Sequence, residues 1–410
     1  MRRITWGLLL LFVFAIPWEY SLDLGAPWGN IARIIGLVLL FTAVPAALQT
    51  GRLRNPGLLQ WLALALYLWF CCTYFWTIEP QATLEKLRGY FQEMMTVWLV
   101  WEFAESPRDL RSLLRVWLAG SWVLAILTVA NLASPGAIAT GQIRFAAVGQ
   151  DPNDVARFLD LGFPIAALVF DGEPRWPGRL LTLGYLPLGL TAVLLTASRG
   201  GFLAAVAALA GCGLLLLRSH VRGVLAGVLA LPLVGVALWF VAPHETLQRL
   251  TTIAEELQGG DLNQRLNIWA AGWHAFAQAP FFGHGAGSFV SAAGLAPIDT
   301  AHNTALSILV EGGVCVFSLA FAIVVVASRS ASQTRGTLRV ALLVLLLVWG
   351  ISSLVGTVDE SRTTWLLFAV MALAGRLAVE EPDRLVHTFL SPAHGSEPGL
   401  TPAPARQLCD

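Results

Sequence analysis

The chain has 410 residues, 56% of them hydrophobic and 13% charged, with a mean hydropathy of +0.67 and a formal net charge of +0. That much apolar surface exceeds what a soluble core needs, and the balanced charge leaves no basic field to recruit nucleic acid. The cysteines Cys71, Cys72, Cys212, Cys315 and Cys409 show no CxxC spacing, so neither a disulfide framework nor a zinc site is indicated.

Apolar runs of about 20 residues predict membrane-spanning helices. The first, 4–20, follows Met1-Arg2-Arg3 and is not followed by a small-residue cleavage site, so it reads as an uncleaved span. Further spans are expected at 30–48, 57–77, 89–104, 112–134, 155–171, 180–197, 200–217, 222–243, 303–327, 340–357 and 363–378, twelve in all. With a cytoplasmic N-terminus, the outer side holds only Arg33, Lys86, Arg88, Arg144, Arg157, Arg199, Arg249, Arg265 and Arg362. The inner side then holds 17 of the 26 basic residues, as the positive-inside rule requires. The expected fold is an all-α integral membrane protein of about 12 transmembrane helices over residues 1–378. Both termini are expected in the cytoplasm, and residues 379–410, rich in Pro, Ser and Gly, as a disordered tail.

Two outer segments are long: Ser134 to Asp154, and the 59 residues from His244 to His302. Loops of that length usually carry function or structure of their own. In the second, Leu262, Leu266, Trp269, Trp273 and Phe276 recur at helical spacing, predicting an interfacial helix with Arg265 in its first turns.

The candidate chemistry gathers on this outer side. Arg199 follows a short break and precedes Gly200-Gly201. Such an arginine ordinarily snorkels into headgroups, but a guanidinium on a tight turn also suits a phosphate. Arg265 at a helix start opposes the macrodipole, which favours an anion nearby. The glycines of Gly283, Gly285 and Gly287 form either a plain turn or a weak anion-facing loop. His302-Asn303 stands where the loop returns to the membrane, with Asp299 placed to orient the imidazole. Glu311, nine residues deeper, is an intramembrane carboxylate and a site candidate for that reason. Asp160 and Glu93 are weaker cases, because Arg157 is one helical turn from Asp160. Asn153, in the turn-and-cap sequence Gln150-Asp151-Pro152-Asn153-Asp154, joins Arg144 as a further candidate. No HExxH, HxxxH, Asp-x-Asp, Walker or G-x-S-x-G pattern occurs, so neither a metal nor another cofactor is expected.

Three stretches together resemble the O-antigen ligase and polymerase superfamily of bacterial membrane glycosyltransferases. They are Thr196-Ala-Ser-Arg-Gly-Gly201; Arg265-Leu-Asn-Ile-Trp269 with Ala279-Pro-Phe-Phe-Gly-His-Gly285; and Ala301-His-Asn-Thr304 with Glu311-Gly-Gly313. The segment from Arg144 to Asn153 is similar to the family's preceding outer loop, and the resemblance covers roughly residues 140–315. It implies a bacterial inner-membrane protein with a periplasmic site, a glycan donor on undecaprenyl diphosphate, and a lipid A-core or glycan acceptor. Position by position, it implies Arg199 and Arg265 on the diphosphate, Arg144 as a further phosphate ligand, and His302 as the base on the acceptor hydroxyl. Asn303, Glu311 and Asn153 complete the expected substrate-binding set.

The periplasm has no ATP, so the energy of a new glycosidic bond must arrive in the donor. A diphosphate leaving group supplies it if fixed cations stabilise its developing charge. Three functions stay open at this stage. A ligase moves a finished glycan to lipid A-core, and a polymerase joins lipid-linked repeat units. A small-solute transporter would use Glu311, Asp160 and Glu93, but its polar groups would be expected near the midplane in matching halves.

Overall fold

The computed structural model describes residues 1–25, 28–49, 51, 53–134, 143–170, 176–219, 244–251, 264–297 and 299–389. Among the described residues there is no strand, only an isolated bridge between Asp23 and Asn30. The helices are α1 (Arg2–Ala15, continuing as a 3-10 turn Ile16–Ser21), α2 (Ile31–Gln49), α3 (Leu58–Thr73), α4 (Pro80–Phe103) and α5 (Pro107–Leu132). There follow α6 (Pro152–Phe170), α7 (Trp176–Leu183), α8 (Tyr185–Leu195), α9 (Arg199–Ser219), α10 (His244–Thr251), α11 (Arg265–Gln278) and α12 (Phe289–Ala292). The chain closes with α13 (Thr304–Gln333), α14 (Gly336–Val355), α15 (Arg362–Glu380) and α16 (Pro382–Phe389).

Among the described residues, seven segments are long and apolar enough to cross a membrane: Arg2–Ser21, Ile31–Gln49, Pro107–Leu132, Pro177–Leu195, Thr304–Gln333, Gly336–Val355 and Arg362–Glu380. Leu58–Thr73 and Arg199–Leu215 are shorter apolar helices. The expected spans 89–104 and 155–171 are also helical, within α4 and α6, but carry more charge. The expected span 222–243 lies outside the described residues.

Local sequence sets the helix ends. At the start of α5, the Ser106 hydroxyl accepts from the Asp109 N–H at 3.3 Å, while the Asp109 carboxylate accepts from the Ser106 N–H at 2.9 Å. Pro107 takes the first position, where its missing N–H costs nothing. Composition predicts a disordered tail over 379–410, and the structure differs from this up to residue 389. Pro382–Phe389 is a helix with Leu385 and Phe389 buried four residues apart, and the Arg111 guanidinium donates to the Thr388 carbonyl at 3.0 Å. One apolar pair at helical spacing is enough to dock this turn on the bundle. Residues 390–410 lie outside the described residues.

Two helices form the centre. Every residue of α6 from Val155 to Val169 is buried, packed among α5, α8, α9 and α14. Almost all of α15 from Thr363 to Gly375 is buried against α4 and α13. Without a hydrophobic drive between helices in lipid, such contacts depend on close approach of backbones at small residues. Gly201 is one such point: a Cβ there would overlap that of Ala156 across the α9–α6 contact.

α13 is broken inside its apolar stretch. Gly313 has φ 64° and ψ −167°, a conformation open to glycine, and the helix ladder is interrupted there. The segment 279–285 repairs the break. His284 and Gly285 donate their N–H groups to the carbonyls of Val310 and Glu311, each at 2.9 Å, and the Val314 N–H reaches the Pro280 carbonyl at 2.9 Å. Broken helices at membrane depth require such internal pairing. Gly313→Ala is expected to cost about 1–3 kcal/mol from backbone strain, in addition to a clash with the Phe281 carbonyl. A fall in detergent melting temperature with release of the 279–285 loop to protease checks it.

Candidate active site

Each expected arginine is delivered by a different joint at one end of the bundle. Arg144 precedes the buried turn Phe145–Ala147, whose Phe145 N–H bonds the Leu195 carbonyl at 2.9 Å. Its guanidinium donates to the Thr196 carbonyl at 3.1 Å and to the Asn153 side-chain oxygen at 2.8 Å. That same oxygen accepts from the Ser198 hydroxyl at 2.9 Å, and the Ser198 hydroxyl in turn caps the Gly201 N–H at 3.1 Å. Asn153 therefore ties the Arg144 loop, α6 and the start of α9 together, one residue from Arg199. The Arg199 guanidinium donates to the Arg249 carbonyl of α10 at 3.2 Å.

Arg265 opens α11, and His302 lies just before α13. Asn303 caps that helix: its oxygen accepts the Leu306 N–H at 3.0 Å, which fixes the residue beside it. The His302 Nδ1 lies 3.2 Å from the Thr300 hydroxyl. Asp299, expected to orient the imidazole, instead accepts the Ala296 N–H at 3.1 Å. Thr300 takes the orienting position.

Backbone strain marks the same places. Among the described residues, three non-glycine residues have positive φ: Ala197 at 48°, Gln264 at 63° and His302 at 46°. They sit two residues before Arg199, immediately before Arg265, and at the histidine itself. Such conformations persist only where the surroundings impose them, and they cluster at functional sites.

These groups act on one another. The Arg144 guanidinium is held below the usual arginine range by burial first, then by Arg249, with Arg265 and Arg199 adding to it and Asp151 opposing. Burial also lowers Arg265, with contributions from Arg157 and Arg199 against Asp151. The His302 imidazole is shifted below its ordinary value by burial, Arg265 and Arg157, with Asp151 and Asp299 opposing. A set of guanidiniums whose charges depress each other is ready for a polyanion, whose binding removes the repulsion.

Other expectations are revised. The N–H groups of His284, Gly285 and Ala286 are taken by the Val310 and Glu311 carbonyls and the Thr73 hydroxyl, so the glycine loop is a structural turn and not an anion cradle. The face of α11 that packs inward is Ile268, Gly272 and Ala275, while Leu266 and Trp273 are exposed; Leu262 lies outside the described residues. Arg157 pairs with Asp154 and not with Asp160, whose carboxyl is buried in α6. Glu311 is held by a lysine. Its carboxylate meets Lys86 at 2.6 Å, and Lys86 also reaches Glu360 at 2.8 Å and Asp359 at 3.3 Å. No group of His, Cys, Asp and Glu able to hold a metal occurs among the described residues.

Residues 184–321 match the O-antigen ligase family, 138 of the 410 residues. This stretch is similar to O-antigen ligases. No curated protein matches the chain. The matched stretch contains Arg199, Arg265, His302 and Glu311, but Arg144, Asn153 and Arg157 come from the segment ahead of it, and Lys86 from α4. Arg157 and Arg249 act on the candidate groups without any local motif to mark them, and Lys86 joins Glu311 in the same way. The only signal was their presence among the few basic residues on the outer side.

Proposed function

We propose that this protein is a membrane glycosyltransferase that moves a glycan from undecaprenyl diphosphate to an acceptor hydroxyl on lipid A-core at the periplasmic face of the bacterial inner membrane. The observation that carries the proposal is the mutual influence of Arg144, Arg199 and Arg265, with Arg265 and Arg157 acting in turn on His302, and strained backbone at three of the four joints. The membrane-spanning helices and the similarity to O-antigen ligases support it.

In this reading the diphosphate is gripped by Arg199, Arg265 and Arg144, which stabilise the charge that develops as the bond from the anomeric carbon to the phosphate oxygen breaks. The acceptor oxygen attacks that carbon from the opposite side, giving inversion, and its proton passes to His302. In the tautomer that donates from Nδ1 to Thr300, Nε2 carries the lone pair a base needs. Asn153 and Asn303 act by holding Arg144 and the His302 loop.

A deletion strain tests the function. Long glycans stranded on the lipid carrier are the expected result. Single repeat units capping the core would instead indicate a polymerase, and normal glycans with altered uptake of a small solute would favour transport.

The pH profile tests the base. Because the imidazole is held below its ordinary value of 6.5, the neutral form persists to lower pH. The acid limb of kcat/KM for transfer is expected to have its inflection under 6.5. Diphosphate offsets the arginines, so the limb of kcat is expected at higher pH than that of kcat/KM. Arg265→Gln removes the largest cationic influence and is expected to move the kcat/KM limb upward. Limbs that coincide and do not move would exclude His302 as the base.

A further inference from the structure

Beside the cationic groups lies a cavity of about 500 Å³, within the range of roughly 300–1,000 Å³ typical of pockets that enclose small molecules. Its wall includes Asp299, Thr300 and Ala301, the residues that lead into His302, and it contains Arg157, which also acts electrostatically on His302. The pocket therefore adjoins the reacting groups but is chemically their opposite. Lys86 is held there by Glu311 and Glu360, and Arg157 by Asp154. Two more acidic side chains, Glu85 and Asp299, complete a lining with five carboxyl groups against two cations. Tyr20, Phe158 and Phe289 supply flat apolar surface in the same wall.

We propose that this cavity is the acceptor-sugar subsite, and that it selects a saccharide end that is neutral or carries an amine and rejects one that carries phosphate. The proposal rests on the reading of the adjoining arginines as the donor site. Carboxylates are acceptor-only groups with several lone pairs each, which suits the paired hydroxyls of a pyranose. The aromatic rings suit the apolar faces of the same sugar and attract an ammonium if one is present. A phosphate would meet an excess of like charge, and juxtaposed like charges suppress a wrong partner. The arginines and the cavity thus divide the substrates by charge: the anionic leaving group goes to the arginines and the uncharged or cationic nucleophile to the carboxyls. This sorting keeps the donor diphosphate from occupying the acceptor position.

The test is equilibrium saccharide binding to the full-length protein in lipid nanodiscs. The probes are a glucosamine disaccharide, its N-acetylated form and its 6-phosphorylated form. The expected order is amine first, N-acetyl second, and phosphate at least tenfold weaker than either. A Glu85→Gln/Glu360→Gln protein, altered at two exposed carboxyls, is expected to bind the amine several-fold more weakly and to lose most of the discrimination against phosphate. Equal binding of all three probes, no binding of any, or discrimination unchanged in the variant would each overturn the subsite. Transfer is measured in parallel with a lipid-linked donor. Selective saccharide binding without transfer to any acceptor would overturn the glycosyltransferase reading while leaving the pocket's charge selection standing.

Discussion

A His302→Ala protein is expected to reach the membrane at normal levels and to lose roughly 10²- to 10⁴-fold in transfer, the usual contribution of a positioned general base. The level should hold because the imidazole is only half-buried and its hydrogen bond among the described residues is to an exposed hydroxyl, Thr300. The residue also sits at φ 46°, a region that costs a side chain energy. His302→Gly therefore separates the two effects. It is expected to be as inactive as the alanine variant yet more stable, by about 1 kcal/mol, because glycine enters that region without strain. Membrane-protein melting curves and a single-turnover transfer assay measure both. If the glycine variant kept wild-type transfer, the histidine would be a structural feature of the loop and not its chemistry.

Lys86→Met is expected to unfold or misassemble the protein, with a loss of about 3–5 kcal/mol, the range for breaking a buried pair and leaving its partner uncompensated. Lys86 is 2% exposed at its side chain and bridges three elements: its own α4, Glu311 of α13, and Asp359 and Glu360 in the turn before α15. Tyr90 adds a hydrogen bond to Asp359 at 2.8 Å, and the ammonium lies 5.8 Å from that ring. Removing the ammonium strands Glu311 and Asp359, which are 4% and 5% exposed at their side chains, whereas Glu360, at 47%, is relieved by solvent. The damage should also reach the site, because the Glu311 carbonyl holds Gly285 and so the loop that repairs α13. A Lys86→Met/Glu311→Gln double variant, which removes charge of both signs, is expected to recover part of the loss. Wild-type stability in the single variant, read by thermal unfolding, would show that this cluster does not hold the bundle together.

The helices were legible because a span needs a long apolar run, and the runs at 30–48, 112–134 and 340–357 left no other option. Their ends were less so. α4 begins at Pro80 and not near 89 because its polar first turns, with Lys86 among them, are neutralised by carboxylates far along the chain. Nothing local reveals those partners. The same reason explains Arg157: Asp154 and Asp160 are both one helical turn away, and only three-dimensional packing decides which of them it meets. The arginines at 144, 199 and 265 stood out because a cation on the outer side runs against the positive-inside rule. The function of Asn153 and Asn303 as braces did not, since an asparagine near a helix start looks the same whether it caps, ties loops together or meets substrate. The inward face of α11 differs from the predicted one in part: Ile268, Gly272 and Ala275 form it with Trp269 and Phe276 half-buried at its edge, while Leu266 and Trp273 face out, because a glycine and an alanine allow the helix to approach its neighbours closely.

The most direct measurement is equilibrium binding of a short-chain polyprenyl diphosphate to the full-length protein in nanodiscs, comparing wild type with Arg199→Gln/Arg265→Gln. Binding by the wild type that favours diphosphate over monophosphate, weakens with salt and falls at least tenfold in the variant is the result required if these guanidiniums form the donor site. Equal affinity in the two proteins would contradict it.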